Sequence, residues 1–289
     1  MPEQEPLKIG LAGLGNVGAG VYKNLIANRD LLRERIGREI VVQRVVVKDP
    51  DKKREVDVPA DQISTRLEDL IEDDEISIVV ELIGGIEKAM WLVSESLKRG
   101  KNVVTANKAL LAEHGQELFA LAEENEASIY FEAAVAGGIP IIKTVQESLV
   151  GNRIESMIGI INGTSNYILT RMTDADLSYQ DALKEAQDLG YAEADPTLDI
   201  NGGDAAHKAV ILASLSYGVW VPFDEVHMEG IDTVRRVDIQ FADDLGYALK
   251  LLAVVRVCCA DRIEVRVQPS LVPKTHILAS VNGVFNAIA

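Results

Sequence analysis

Asp204 and Lys208 stand four residues apart at the start of an apolar run, so on a helix both side chains share one face. Glu193, Asp195 and Asp199 precede them in a polar stretch, and Gly202-Gly203 lets that stretch approach the helix closely. Together with Lys108, these residues offer both signs of charge to one small molecule, as a ligand carrying an ammonium and a carboxylate requires. The plainer alternative is a surface helix with one ion pair, worth ~0.3–0.5 kcal/mol. Residue types and spacing alone weigh the two evenly.

A second chemistry is written in Gly13-Leu14-Gly15-Asn16-Val17-Gly18, a G-x-G-x-x-G pattern that follows a short apolar run and opens a helix. In that setting Gly13 permits a tight turn, Gly15 lets the backbone approach a pyrophosphate, and Gly18 allows close helix–strand packing. The N–H groups of Asn16, Val17 and Gly18 at the helix start would face the phosphates. Beyond the second apolar run, Val47-Lys48-Asp49-Pro50 is followed by Lys52-Lys53-Arg54. A cation such as Lys48 at this tip suits a ribose 2′-phosphate, so NADP is expected, with NAD as the alternative.

The elements that must position these groups fall into two rhythms. Strands are expected at Leu7–Ala12, Ile40–Val47, Ile76–Ile83, Asn102–Thr105 and Ser128–Phe131, alternating with helices at 16–35, 88–98 and 109–124. That alternation predicts a Rossmann-type, doubly wound parallel sheet over 1–137. From 138 to 289 the pattern becomes α+β. It has helical segments near 139–149, 164–173, 178–189 and 204–218, a strand at 154–161, and two closing strands at 249–259 and 263–272. Ala260-Asp261-Arg262 is the turn expected between those last two. No linker separates the halves, so the ligands are expected in a cleft between domains.

Composition narrows the partners. The 289 residues carry 29 basic and 45 acidic side chains, a net charge of −16, which argues against a nucleic-acid partner. Met1-Pro2-Glu3-Gln4-Glu5-Pro6 lacks the basic start and apolar core of a signal peptide, and no run reaches the ~20 apolar residues of a membrane span. A cytoplasmic location without membrane contact is expected. The longest apolar run, 209–223, reads as a buried helix. Cys258 and Cys259 are adjacent and read as buried, reduced strand residues. The four histidines show no transition-metal spacing. His207 is read as pointing away from the Asp204–Lys208 face, and Tyr167 as core.

Longer motifs carry a family resemblance. Val79-Val80-Glu81-Leu82-Ile83-Gly84-Gly85, Val103-Val104-Thr105-Ala106-Asn107-Lys108, Asn162-Gly163-Thr164-Ser165-Asn166-Tyr167 and the run from Gly190 to Lys208 resemble homoserine dehydrogenases, in order, over essentially the whole chain. The resemblance implies NAD(P)H-dependent reduction of L-aspartate 4-semialdehyde to L-homoserine, a step towards threonine and methionine. By it, Lys208 gives the proton to the developing alkoxide and Asp204 orients it. Glu193 and Asp199 hold the substrate's ammonium, and Lys108 lies between nicotinamide and substrate. Gly84 and Gly190 join the cofactor contacts.

The resemblance also implies a monovalent cation, usually sodium, at Glu132, Val135, Gly137 and Ile139, and a homodimer formed through the α+β substrate-binding domain. Against the family, the sequence stops within a strand and leaves no room for a regulatory module, so threonine feedback through one is not expected. Two alternatives stay open: another amino-acid-related dehydrogenase of this layout, and a nucleotide-binding protein without turnover.

Overall fold

Short runs of β-branched residues in the first unit alternate their side chains between two buried layers. Leu11, Val45 and Val80 enter one apolar cluster, while their neighbours Ala12, Val46 and Val79 enter another. A sheet buried on both faces, with helices between its strands, must be parallel. The computed structural model, which describes residues 5–259 and 262–289, has this arrangement. Strands β1 (Leu7–Ala12), β2 (Ile40–Val46), β3 (Ile63–Ser64), β4 (Ile78–Glu81), β5 (Asn102–Thr105) and β6 (Ile129–Tyr130) form a parallel sheet ordered β3-β2-β1-β4-β5-β6. This is a Rossmann-like sheet, with strand order reversing at β1.

Its helices are α1 (Asn16–Ala27), α2 (Arg29–Ile36), α3 (Glu68–Ile71), α4 (Glu87–Lys98) and α5 (Lys108–Glu124). The single helix expected over 16–35 is therefore two. Asn28 breaks it: its side-chain Nδ2 donates to the Asn24 carbonyl at 3.2 Å, beside its own backbone bond to the same oxygen at 3.0 Å. Strand β4 is also shorter than the expected 76–83, and β3 and α3 had no periodic signal long enough to foresee.

The chain divides into compact units at 1–134 and 135–289. The second unit opens with a helical turn, α6 (Ile141–Lys143), which widens into a π-turn over Thr144–Ser148 where an ordinary helix was expected. Its sheet is mixed: β7 (Ser156–Ile160), β8 (His227–Met228), β9 (Tyr247–Cys259), β10 (Arg262–Pro273) and β11 (Ala287–Ile288), in the order β11-β7-β9-β10-β8. Helices α7 (Gly163–Asp174), α8 (Tyr179–Asp188), α9 (Thr197–Ile200), α10 (Gly203–Tyr217) and α11 (Arg236–Asp244) complete the unit. Helix α10 packs on β9 and β10 and is buried through most of its length. It ends at Gly218, in a left-handed conformation with φ 66°, close to the helix expected over 204–218 and short of the end of the apolar run at 223.

Two further expectations change. Cys258 and Cys259 are exposed, because the buried run of β9 stops at Val255 while the strand runs on to Cys259. The Cys258 thiol donates to Glu264 Oε2 at 3.2 Å, and that bond, before burial, raises its pKa. Of the turn expected at Ala260-Asp261-Arg262, the first two residues lie outside the described residues, as do residues 1–4. Among the described residues no helix is long and apolar enough to cross a membrane.

Candidate active site

Two constellations stand out, one in each unit. In the first, the backbone passes from β1 through Gly13 into α1. Gly13 has φ 97°, and a Cβ there would sit 2.5 Å from the Leu82 carbonyl oxygen, so only glycine fits. A Cβ on Gly18 would strike the Gly13 carbonyl oxygen. Gly15, by contrast, faces open space with nothing within 4 Å of a Cβ position, and no side chain caps the helix it begins. The first-turn N–H groups of α1 are thus presented to solvent beside an empty approach, which fits the pyrophosphate of a dinucleotide.

A cleft beside this turn brings Val17, Gly84 and Lys108 together with Glu81 and Asn107. Glu81 is fully buried. Its Oε1 accepts from the Ile83 and Gly84 N–H groups at 3.0 and 3.3 Å, and its Oε2 accepts from Thr105 Oγ1 at 2.6 Å. Thr105 Oγ1 in turn accepts from Asn107 N–H, while Asn107 caps α5 and donates to the Gly85 carbonyl at 2.7 Å. One carboxylate therefore ties the Gly84 loop to the helix that begins with Lys108. Sequence reasoning singled out neither Glu81 nor Asn107. Lys48 is exposed just past β2. Arg54, from the same basic cluster, turns back on its own loop, donating to the carbonyls of Asp49 and Lys52 at 2.5 and 2.7 Å.

In the second unit, Asp204 and Lys208 do share one face of α10. Lys208 Nζ donates to Asp204 Oδ2 at 2.7 Å and to the Ile161 carbonyl at 2.6 Å, and both side chains are largely buried. Asn162, at the N-cap of α7, completes the group. Its Nδ2 donates to Asp199 Oδ1 at 2.7 Å and to Asp204 Oδ2 at 2.8 Å, while its Oδ1 accepts from Ser165 N–H at 2.7 Å. Asp199 sits in the short helix α9, where burial lifts its carboxyl above the usual range and the Asn162 bond works against that rise.

Gly202 adopts φ 87° to turn the chain from α9 into α10, its Cβ position 3.1 Å from the Val267 side chain. Asn162 was visible in the sequence only as part of a motif, because no periodicity marks a cap residue as a bridge between carboxylates.

The remaining expected residues have other partners. Glu193 is exposed on the loop after α8, its backbone carbonyl accepting from Gln187 Nε2 at 3.2 Å. Asp195 turns to Thr197, accepting from its N–H and its hydroxyl, with the hydroxyl bond first in lowering its pKa. Gly190 ends α8 with φ 76°. His207 is buried and stacks on Phe223 at 4.3 Å between ring centroids, and Tyr167 donates to Glu185 Oε1 at 2.9 Å.

Of the cation positions, Glu132 begins a 3-10 turn, while Val135, Gly137 and Ile139 follow along a backbone with positive φ at Ala136 and Gly138. No group of three or more His, Cys, Asp or Glu side chains suited to a metal ion occurs among the described residues.

Residues 13–132 match the model of the homoserine dehydrogenase NAD-binding domain, and residues 140–289 match that of homoserine dehydrogenase itself. The homoserine dehydrogenase of Bacillus subtilis is 46% identical over 282 residues, a match covering 98% of this chain and 65% of that protein. The crystal structure of a homoserine dehydrogenase from Thiobacillus denitrificans superposes with a TM-score of 0.94 at 48% identity, covering 99% of this chain and 66% of that one. A hyperthermophilic archaeal homoserine dehydrogenase in complex with NADPH gives a TM-score of 0.77 at 27% identity, covering 98% and 87%. The chain thus spans about two thirds of the length of the curated relatives it matches. Its first unit is a nicotinamide-dinucleotide-binding domain, and the chain belongs to the homoserine dehydrogenase family.

Proposed function

We propose that this protein reduces L-aspartate 4-semialdehyde to L-homoserine with a nicotinamide dinucleotide. The observation that carries this reading is the buried Asp204–Lys208 pair in a chain of this family. The bound dinucleotide supplies the hydride for the aldehyde carbon. Negative charge then gathers on the carbonyl oxygen, where a positioned donor helps most in the transition state. Lys208 is that donor. Two of its three N–H bonds go to Asp204 and the Ile161 carbonyl, which aims the third. Asp204 orients the ammonium. Glu193 and Asp199 hold the substrate's own ammonium, and Lys108, on the rim of the first unit's cleft, borders nicotinamide and substrate.

Lys48 favours NADP over NAD by pairing with a 2′-phosphate, as the NADPH complex of the archaeal relative encourages. Gly13, Gly15, Asn16, Val17, Gly18, Gly84 and Gly190 complete the cofactor contacts. Glu132, Val135, Gly137 and Ile139 offer one carboxylate and backbone carbonyls, a donor set suited to a hard monovalent cation such as sodium. The enzyme works as a cytoplasmic homodimer.

Absorbance of the reduced nicotinamide, followed with L-homoserine and NADP and then NAD, tests substrate and cofactor together. Reduction with both substrates present, faster with NADP, is expected. Nucleotide binding without turnover, or turnover only with a different alcohol, overturns the reading.

A further inference from the structure

Asp199 and Asp204 approach the same atom from two elements. Asn162 Nδ2 lies 2.7 Å from one carboxylate and 2.8 Å from the other, on α7, between α9 and α10. Its orientation is dictated by the network: turned over, the amide would set its oxygen against two carboxylate oxygens and its N–H bonds against the Ser165 N–H. Asn162 is 5% exposed and Asp204 7% exposed, so water does little to separate the negative charges. Two carboxylates left to face each other in such a place share a proton, because like charge and burial both penalise the second ionisation. An amide with two N–H bonds, one for each carboxylate, removes the need for that proton. A hydroxyl has one donor only, and an ammonium would compete with Lys208 for Asp204.

We propose that Asn162 is a positioning residue of the reaction: by donating one N–H to Asp199 and one to Asp204 it keeps both carboxylates ionised, and so keeps Asp204 available to hold the Lys208 ammonium. This rests on the role assigned above to Lys208. The charged groups acting on Asp199 are Asp204 and Lys208, so the bridge works within a closed set of charges. Asn162 also caps α7, and the two duties separate by substitution. Asn162→Ser keeps a side-chain oxygen for the Ser165 N–H, since serine caps helices about as well as asparagine, but loses the double donor. Asn162→Asp keeps the cap too and replaces the donor with a third carboxylate.

The test compares both variants with the wild-type chain. Asn162→Ser should keep the nucleotide Kd while kcat with L-homoserine falls at least ~10-fold, as misaimed catalytic groups do. In Asn162→Asp a carboxyl whose folded pKa is raised should destabilise the protein fully above that pKa, the penalty fading as pH falls from there to the unfolded value. Its Tm deficit against wild type should therefore shrink as pH falls, with its relative kcat recovering in parallel. A Tm deficit independent of pH, or a wild-type kcat in Asn162→Ser, overturns the bridge. If the wild-type chain itself shows no turnover, the functional reading fails instead, and the Tm series still decides whether Asn162 bridges two ionised carboxylates.

Discussion

The cofactor turn of the first unit and the proton-donor cluster of the second are built from opposite materials. At Gly13–Gly18 the working groups are backbone N–H bonds, no charged side chain takes part, and side chains are excluded by contacts such as Gly13 against Leu82. In the second unit the working groups are charged side chains from α9 and α10, joined by the Asn162 amide at the start of α7 and each held by the others. A site of the first kind fails by obstruction and is indifferent to pH. A site of the second kind fails electrically, because removing one member leaves a buried charge without its partner.

Substitutions can break or sharpen that contrast. The largest effect should come from Lys208→Ala, with kcat lowered at least ~100-fold and nucleotide Kd nearly unchanged. Steady-state rates beside a nucleotide titration check it, and near-normal turnover would remove Lys208 from its role. Next comes Lys250→Met. Lys250 is buried and donates to the Val281 carbonyl, Asn282 Oδ1 and Asn166 Oδ1 at 2.6, 2.9 and 3.3 Å, so its loss should cost about 1–3 kcal/mol in denaturant unfolding.

Burial lowers the Lys250 pKa from 10.5 to about 8. Between those values the unfolded chain holds a proton that the folded chain has released, so the wild-type contribution from this group rises with pH across that window. The stability gap to Lys250→Met should widen accordingly, and a gap that narrows would reverse the sign.

Smaller effects belong to the backbone site. Gly15→Ala should leave Tm within about 2 °C yet raise the nucleotide Kd at least ~10-fold, because the added methyl meets only a ligand. Gly13→Ala is its counterpart and should destabilise the fold itself by more than about 1 kcal/mol. Smallest of all, Lys48→Ala should weaken NADP by about 1 kcal/mol, with NAD unaffected, as an exposed charge pair allows. Equal losses for both nucleotides would take Lys48 away from the 2′-phosphate.

The two sites also differ in how plainly they stand in the sequence. A backbone site needs glycines at fixed spacing, so Gly13, Gly15 and Gly18 can be read directly, and the alternating strands around them follow from apolar runs. Asp204 and Lys208 are legible because one helical turn separates them. Asp199 can be picked out as a candidate, but its meeting with Asn162 cannot, since that depends on how α7 and α9 pack and nothing local encodes it. Glu81 is hidden similarly: inside the strand expected over Ile76–Ile83 nothing marks its carboxylate as a hub until Thr105 is seen beside it. The exposed cysteines and the break at Asn28 were missed for a simpler reason, that apolar pattern does not report where a strand outruns its cover or a side chain competes with its own helix.

The stretch from Val281 to Phe285 has neither helix nor strand, yet it is fastened more firmly than most loops. Asn166 Nδ2 shares its two N–H bonds among the carbonyls of Val281, Gly283 and Phe285, Lys250 adds a bond to Val281, and Thr170 Oγ1 accepts the Gly283 N–H at 3.0 Å. The Gly283 amide proton cannot leave for solvent until that web opens, and opening it strands the ammonium of Lys250. In hydrogen exchange this irregular segment should keep time with the strands of the second sheet, so that lack of regular structure here is no measure of looseness.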